Sequence, residues 1–177
     1  MASSGLHANG SSLARRVAAE LSDGYRTPLP SGRTFGEALL DRTPIYAALV
    51  RTLLESSVEL HYLSHITGHG LLKLMRPRRE LTYTLTRLPE VPEVLAFLVQ
   101  RTEMSPAAAY STFNMGCGFA VYCAHGSGEE VVAAAAELGL SARVAGAVED
   151  GPRRVVLEEI DVVFESGDMD LTPRQAA

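Results

Sequence analysis

Hydrophobic residues recur every three or four positions in several stretches of the chain, which predicts amphipathic helices. In residues 11–22, Leu13, Val17 and Leu21 fall on one line, and charged residues lie off it. Thr34 and Glu37 have the spacing of a capping box, which predicts a helix that begins there. The same periodicity predicts helices at residues 44–54, 92–101 and 129–138, and short helices are expected at residues 71–75 and after the cap Ser105-Pro106.

Alternating apolar and polar residues predict strands between these helices. One strand begins near Val58 and runs into His65, and others cover residues 81–85 and 119–123. The turn Glu149-Asp150-Gly151-Pro152 separates two more candidate strands, at residues 143–148 and 154–159, and predicts a hairpin. The pattern as a whole predicts an α+β domain at residues 1–165, with a mixed β-sheet flanked by helices, and a flexible polar tail at residues 166–177.

Composition narrows the class of protein. The chain has 177 residues, of which 46% are hydrophobic and 21% charged, as in ordinary globular proteins. A formal net charge of -5 argues against a nucleic-acid surface, which needs clustered lysine and arginine. No apolar run approaches the roughly 20 residues that span a bilayer, and no signal peptide is recognised. We therefore expect a cytoplasmic protein with neither nucleic-acid nor membrane partners.

The spacing of the two cysteines and of three histidines does not support a disulfide bond or a metal site. Cys117 and Cys123 lie six residues apart in a predicted strand, about 20 Å apart at strand rise, which is beyond disulfide reach. His61, His65 and His69 recur every four residues, but in a strand and turn rather than on a helix face. His61 and His65 would be about 13 Å apart, so no metal site is predicted.

Three short segments combine glycines with side chains that can hydrogen-bond a ligand. They are SSGLHANG at residues 3–10, HITGHG at 65–70 and TFNMGCG at 112–118. Glycine lets a backbone approach an anion closely, and a helix N-terminus offers unpaired N–H groups. The strand, glycine turn and short helix around residues 65–70 therefore predict a phosphate cradle. The plainer interpretation, that these glycines serve only turn geometry, stays open.

The three segments also match a known family. In order, and over nearly the whole chain, SSGLHANGSSLARR, GEALLDRTPIY, SHITGHGL and TFNMGCGF resemble the C-terminal half of aminoimidazole ribonucleotide synthetase, also called phosphoribosylformylglycinamidine cyclo-ligase. The resemblance implies an ATP-dependent enzyme of purine biosynthesis that closes the ring of formylglycinamidine ribonucleotide to give aminoimidazole ribonucleotide. It further implies that ATP and Mg²⁺ bind mainly to an N-terminal half that is missing here, so that this domain alone holds no cofactor and needs that half in cis or in trans.

The resemblance implies roles for individual residues. His7 is the candidate for proton transfer or polarisation. The implied substrate-binding residues, which would hold a phosphoribosyl-type small molecule, are Ser4, Gly5, Asn9, His65, Thr67, Gly68, His69, Gly70, Asn114 and Gly116.

Two departures from the family pattern put the substrate in question. His69 replaces the middle glycine of the family's glycine triplet, and Ser111 stands where arginine is usual, which removes a bidentate phosphate donor. Two other interpretations therefore stay open: a non-catalytic module that binds a phosphate ligand or supports assembly, and a diverged enzyme with another substrate. A homo-oligomer and a separated fragment of a longer enzyme are also consistent with the sequence.

Overall fold

The computed structural model of the chain describes residues 1–169. The helices in this range are α1 (Ser11–Glu20), α2 (Phe35–Leu39), α3 (Ala47–Glu55), α4 (Glu93–Arg101), α5 (Pro106–Thr112) and α6 (Gly128–Glu137). The strands are β1 (Leu60–His65), β2 (Leu81–Leu85), β3 (Phe119–Cys123), β4 (Gly146–Asp150), β5 (Arg154–Leu157) and β6 (Val162–Glu165). Short 3₁₀-helices lie at Gly24–Arg26, Gly70–Met75, Glu158–Ile160 and Ser166–Met169. The α+β class is confirmed.

Local sequence signals set several of the helix ends. The Thr34 hydroxyl accepts a hydrogen bond from the Glu37 N–H, and the Glu37 carboxylate accepts one from the Thr34 N–H at 2.7 Å, which confirms the capping box. Ser105 caps α5 in the same way, by accepting from the Ala108 N–H. These caps pair backbone N–H groups that no carbonyl within the helix can reach.

The strands form two separate sheets rather than one. The larger sheet has the order β4-β2-β5-β6, with β2 antiparallel to β4 and parallel to β5, so it is mixed as expected. Its buried face carries Tyr83, Val155, Leu157 and Phe164. The smaller sheet consists of β1 and β3 alone, which run antiparallel with His65 opposite Phe119. α3 and α6 contact each other beside the smaller sheet through Leu49, Leu53, Val131 and Ala135.

The predicted hairpin between β4 and β5 is wrong, because β2 lies between them. Asp150 is opposite Leu81, and Arg154 is opposite Thr82, so the intervening turn crosses over the start of β2. Strands on either side of a third are about 10 Å apart, and the four-residue step from one strand to the other spans that distance easily. The Thr82 hydroxyl donates to the Pro152 carbonyl at 2.9 Å and holds the crossing in place.

The 3₁₀-helix Gly70–Met75 joins the two sheets. It follows β1 and contacts α5, β2 and β5, and its apolar side chains Leu71, Leu72, Leu74 and Met75 are buried. Tyr122 of β3 donates to the Leu74 carbonyl at 2.8 Å, which ties the smaller sheet to this helix. The loop after β1 is therefore anchored from both sides.

Other sequence expectations can be placed as follows. Cys117 and Cys123 are free thiols. Of the expected tail, Ser166–Met169 forms the last 3₁₀-helix, and residues 170–177 lie outside the described residues. No helix within residues 1–169 is both long and apolar enough to cross a membrane.

Candidate functional site

The pairing of β1 with β3 brings two of the three glycine segments together. Because the strands are antiparallel, the loop that leaves β1 lies beside the loop that enters β3. The Ile66 N–H donates to the Gly118 carbonyl at 3.0 Å across this junction. Residues 65–70 and 112–118 therefore meet at one end of the smaller sheet.

The first residues of the chain bring the third segment to the same place. The Ser3 N–H donates to the Gly116 carbonyl at 2.8 Å, and the Gly118 N–H donates to the Met1 carbonyl at 3.0 Å. This backbone pairing lays the N-terminal residues along the loop that enters β3. The three glycine segments therefore lie together.

Asn114 locks these segments to each other. Its side chain is 2% exposed, and its Oδ1 accepts from the Ser3 hydroxyl at 2.6 Å and from the Gly116 N–H at 3.0 Å. Its Nδ2 donates to the Gly5 carbonyl at 2.8 Å. An amide so buried and so fully bonded holds the loops in position; its polar atoms face the protein rather than an open cleft.

Asn9 links the other two segments. Its Nδ2 donates to the Thr112 carbonyl at 2.7 Å. A Cβ placed on Gly68 would lie 3.5 Å from Asn9 Oδ1, so the side chain rests against the glycine turn. Asn9 is half-buried, and its Oδ1 faces the turn. It can thus position the turn and still meet a bound ligand.

His7 presents a hydrogen-bond donor that no group in residues 1–169 accepts. Its Nε2 lies 3.1 Å from the Ser4 N–H, and a backbone N–H can only donate, so Nε2 is the acceptor. A neutral ring then carries its proton on Nδ1, which is buried without a partner in this part of the chain. Burial lowers the pKa of His7, and the neighbouring His65 lowers it further, so the neutral form is favoured.

An aromatic wall stands beside His7. Tyr46 and Phe119 stack with ring centroids 5.0 Å apart, and His65 lies edge-on to Tyr46 at 6.0 Å. The Tyr46 hydroxyl donates to the Ala2 carbonyl at 2.9 Å, and burial raises the pKa of Tyr46 to about 12. These rings form one end of an open apolar groove of about 670 Å³ that continues along α3 past Ile45 and Leu54.

The turn at residues 65–70 differs from the expected phosphate cradle. The helix that follows is a six-residue 3₁₀-helix, and His69 before it adopts a left-handed conformation with φ of 71°. A Cβ on Gly70 would lie 2.0 Å from the Tyr110 carbonyl oxygen and 2.6 Å from that of Phe113. Gly70 is therefore required by packing against the end of α5, and the exposed His69 side chain stands at the surface.

Of the remaining predicted site residues, some pack against the protein backbone and others are partly exposed. Gly116 packs against backbone, since a Cβ there would lie 2.3 Å from the Glu90 carbonyl oxygen. The Ser4 hydroxyl donates to the Arg42 carbonyl at 2.8 Å, and the Gly5 carbonyl accepts from Asn114. Thr67 is half-buried and contacts the Lys73 ammonium. His7, Asn9, His65, Thr67 and Gly68 are all at least partly exposed, and the surface that they form is called the cleft below, whereas the buried Gly5, Gly70, Asn114 and Gly116 build its frame.

Neither Tyr46 nor Lys73 is among the site residues predicted from the sequence, although both lie at this site. Tyr46 ends the family-like segment GEALLDRTPIY, so its place in a quoted motif was the available signal. Lys73 is the only lysine among the 16 lysines and arginines of the chain. Its being the only lysine was the one signal by which the sequence could have pointed to Lys73.

Titratable side chains do not gather into a metal centre in the described part of the chain. Within residues 1–169 no three His, Cys, Asp or Glu side chains lie close enough together to hold a metal ion.

Comparison with known proteins gives the site a context. Residues 1–158 match the family described as "AIR synthase related protein, C-terminal domain". Among curated relatives, the phosphoribosylformylglycinamidine cyclo-ligase of Methanothermobacter thermautotrophicus is 40% identical over 159 residues, which cover 88% of this chain and 46% of the relative. The proteins of the same name from Methanosarcina acetivorans and Rippkaea orientalis are 37% and 32% identical, over 85% and 91% of this chain and 44% and 48% of their own length. The chain thus spans less than half the length of these relatives.

The packing around Gly70 predicts a large loss of stability on substitution. We expect Gly70→Ala to lower the free energy of unfolding by about 3 kcal/mol or more, because its Cβ would collide with two carbonyl oxygens. Gly32→Ala is the matched control, since Gly32 also has a positive φ, of 86°, but has no neighbour within 4 Å. Its cost should be about 1–2 kcal/mol. Urea denaturation measures both, and equal losses would contradict the packing.

The buried ring of His7 predicts a specific dependence of stability on pH. Its folded pKa lies below the usual value of about 6.5, so the unfolded chain binds the proton more readily. The stabilisation is therefore present above about pH 6.5 and is lost as pH falls from there through the folded pKa. Ring ¹⁵N NMR should show a His7 that titrates below 6.5 and whose neutral form carries its proton on Nδ1.

A variant separates His7 from the other histidines. Asparagine tolerates the left-handed backbone of His7, with φ of 56°, so His7→Asn should fold and lose part of the dependence of unfolding free energy on pH between 5 and 7. His125→Asn, at an exposed turn position, should retain it. An Nε2-protonated neutral ring, or an unchanged pH profile in His7→Asn, would contradict the assignment.

Proposed function

Because this chain belongs to the family of AIR synthase related proteins, C-terminal domain, we propose that it is the substrate-binding half of an ATP-dependent ring-forming ligase of purine biosynthesis. The proposed substrate is formylglycinamidine ribonucleotide and the proposed product is aminoimidazole ribonucleotide. In this reaction ATP supplies the γ-phosphoryl group that activates the formyl amide oxygen. The formyl amide oxygen takes up the phosphoryl group and ADP leaves; the amidine nitrogen then attacks the formyl carbon, and the ring closes with loss of phosphate and a proton.

The observation that carries the proposal is the unpartnered Nδ1–H of His7 beside Asn9 and the glycine turn. A buried donor without an acceptor costs free energy, and a ligand oxygen placed against it would recover that cost. In the proposed reaction this donor polarises a substrate oxygen, while Asn9 and Thr67 orient the substrate. Chemistry of this kind depends more on positioning and charge stabilisation than on a protein nucleophile.

The side chains of residues 1–169 do not fit a role as the magnesium or ATP site. The described residues hold no metal-binding cluster, as noted, and the one glycine turn that resembles a phosphate cradle packs its Gly70 against α5. ATP and Mg²⁺ would therefore bind to a second domain that corresponds to the part of the relatives that this chain does not cover. This is the partner that the proposal requires.

The apolar groove along α3 is the proposed place for that second domain. Ile45 and Leu54 are 82% and 68% exposed, and the groove runs directly into the aromatic wall of Tyr46, His65 and Phe119. A domain seated there would cover the apolar surface and at the same time close the cleft over His7. Exposed apolar patches of this kind mark interaction sites.

A specific observation also favours a second candidate, an enzyme of the same class with a different substrate. The family pattern has glycine where His69 stands, and His69 keeps a strained left-handed backbone and places an exposed imidazole at the surface of the turn. Ser111, in place of the usual arginine, donates its hydroxyl to the Ala108 carbonyl. Both changes would suit a substrate whose anionic group differs from that of formylglycinamidine ribonucleotide.

The proposal predicts activity in trans. We expect this chain, mixed with the N-terminal half of the Methanothermobacter relative, to turn over ATP in the presence of formylglycinamidine ribonucleotide and Mg²⁺, while neither half does so alone. Calorimetry should show that this chain binds the ribonucleotide. Absence of both binding and turnover would exclude the proposal, and binding without turnover would identify a non-catalytic ligand-binding module instead.

Two matched variants test the docking face within the same assay. Ile45→Glu places a charge in the groove and should weaken association of the two halves about tenfold or more. Val163→Glu changes an equally apolar residue, 47% exposed on β6 of the other sheet, and should leave association unchanged. Equal effects of both variants would place the partner elsewhere.

A further inference from the structure

Lys73, the only lysine of the chain, lies directly beside the turn that follows β1. It sits on the 3₁₀-helix Gly70–Met75, and its Nζ donates to the Thr67 hydroxyl and, at 3.4 Å, to the His65 carbonyl. An ammonium has three N–H donors, so one remains for another acceptor. Thr67 accepts from Lys73, and its own hydroxyl hydrogen is left free to donate.

The charge of Lys73 is not balanced by any acid in the described part of the chain. Its side chain is partly buried, and burial lowers its pKa. The one charged group that acts on it is Arg76, which lowers the pKa further, and no carboxylate raises it. The Lys73 ammonium and the Thr67 hydroxyl therefore lie together, and the positive charge of Arg76 is near enough to lower the pKa of Lys73 with no carboxylate to oppose it.

A purely structural role would not require this arrangement. A neutral amide could tie the 3₁₀-helix to the turn with the same two hydrogen bonds and without the cost of burying a charge. Burial of an unpaired ammonium is unfavourable, and a bound anion would offset that cost. The geometry is that of a site prepared for an anion.

We propose that Lys73, Thr67 and Arg76 form a binding site for a phosphate monoester. A doubly charged phosphate matches two cations and a hydroxyl donor better than a singly charged carboxylate does. This inference rests on the proposed function, because it assigns the phosphate end of the substrate to this side of the turn. The reacting end of the same molecule would then lie toward His7 and Asn9, on the other side of Gly68.

The single lysine makes the test direct. Growth on lysine labelled with ¹³C at Cε gives one labelled side chain, whose chemical shift reports protonation of the Lys73 amine. Titration with inorganic phosphate and with ribose 5-phosphate, at constant ionic strength, should shift this signal saturably and raise the pKa of Lys73. Lys73→Gln should weaken binding of ribose 5-phosphate about tenfold or more, and Lys73→Arg should weaken it less.

Two further variants test whether phosphate binds at this site or to exposed basic side chains in general. Arg78→Gln removes a neighbouring exposed charge and should leave binding unchanged, whereas Arg76→Gln should weaken it. A Lys73 signal that does not respond to phosphate, equal responses to phosphate and acetate, or equal losses in the Arg76 and Arg78 variants would overturn the proposal. Because the titration needs no second domain and no turnover, its failure is distinct from failure of the proposed ligase activity.

Discussion

The buried amide of Asn114 is the interaction on which the site depends. It pairs with the Ser3 hydroxyl, the Gly5 carbonyl and the Gly116 N–H, so one side chain fixes the N-terminal segment against the loop that enters β3. Each buried partner left unpaired by its loss would cost about 1–3 kcal/mol. With that frame in place, Asn9 is held against the glycine turn after β1, and the His7 ring lies beside Gly118.

The sequence predicts local features well and distant pairing poorly. The capping box at Thr34 and the strand β2 were predicted from neighbouring residues, and both are present in the structure. The hairpin between β4 and β5 failed because a turn signal cannot show that β2 takes the place between them. That order depends on pairing of β2 with both β4 and β5, which lie more than 60 residues further along the chain.

The same contrast between local features and distant contacts applies to the site residues. The sequence identified the three segments that meet, but a glycine or asparagine in a motif does not reveal whether a ligand or the protein backbone requires it. Gly70 and Gly116 approach backbone carbonyls, and Asn114 bonds only within the protein. Lys73 follows no motif; its role rests on a contact with Thr67 that exists only in the fold. Glycine and asparagine residues thus frame the site, and the aromatic side chains of Tyr46, His65 and Phe119 stand beside them.

Backbone amide NMR of this chain, titrated with formylglycinamidine ribonucleotide, tests most directly whether the three segments form one ligand site. Amide signals of residues 3–10, 65–70 and 112–118 should shift together and fit a single dissociation constant. Shifts confined to one segment, or centred on the exposed edge strand β4, would contradict a shared site.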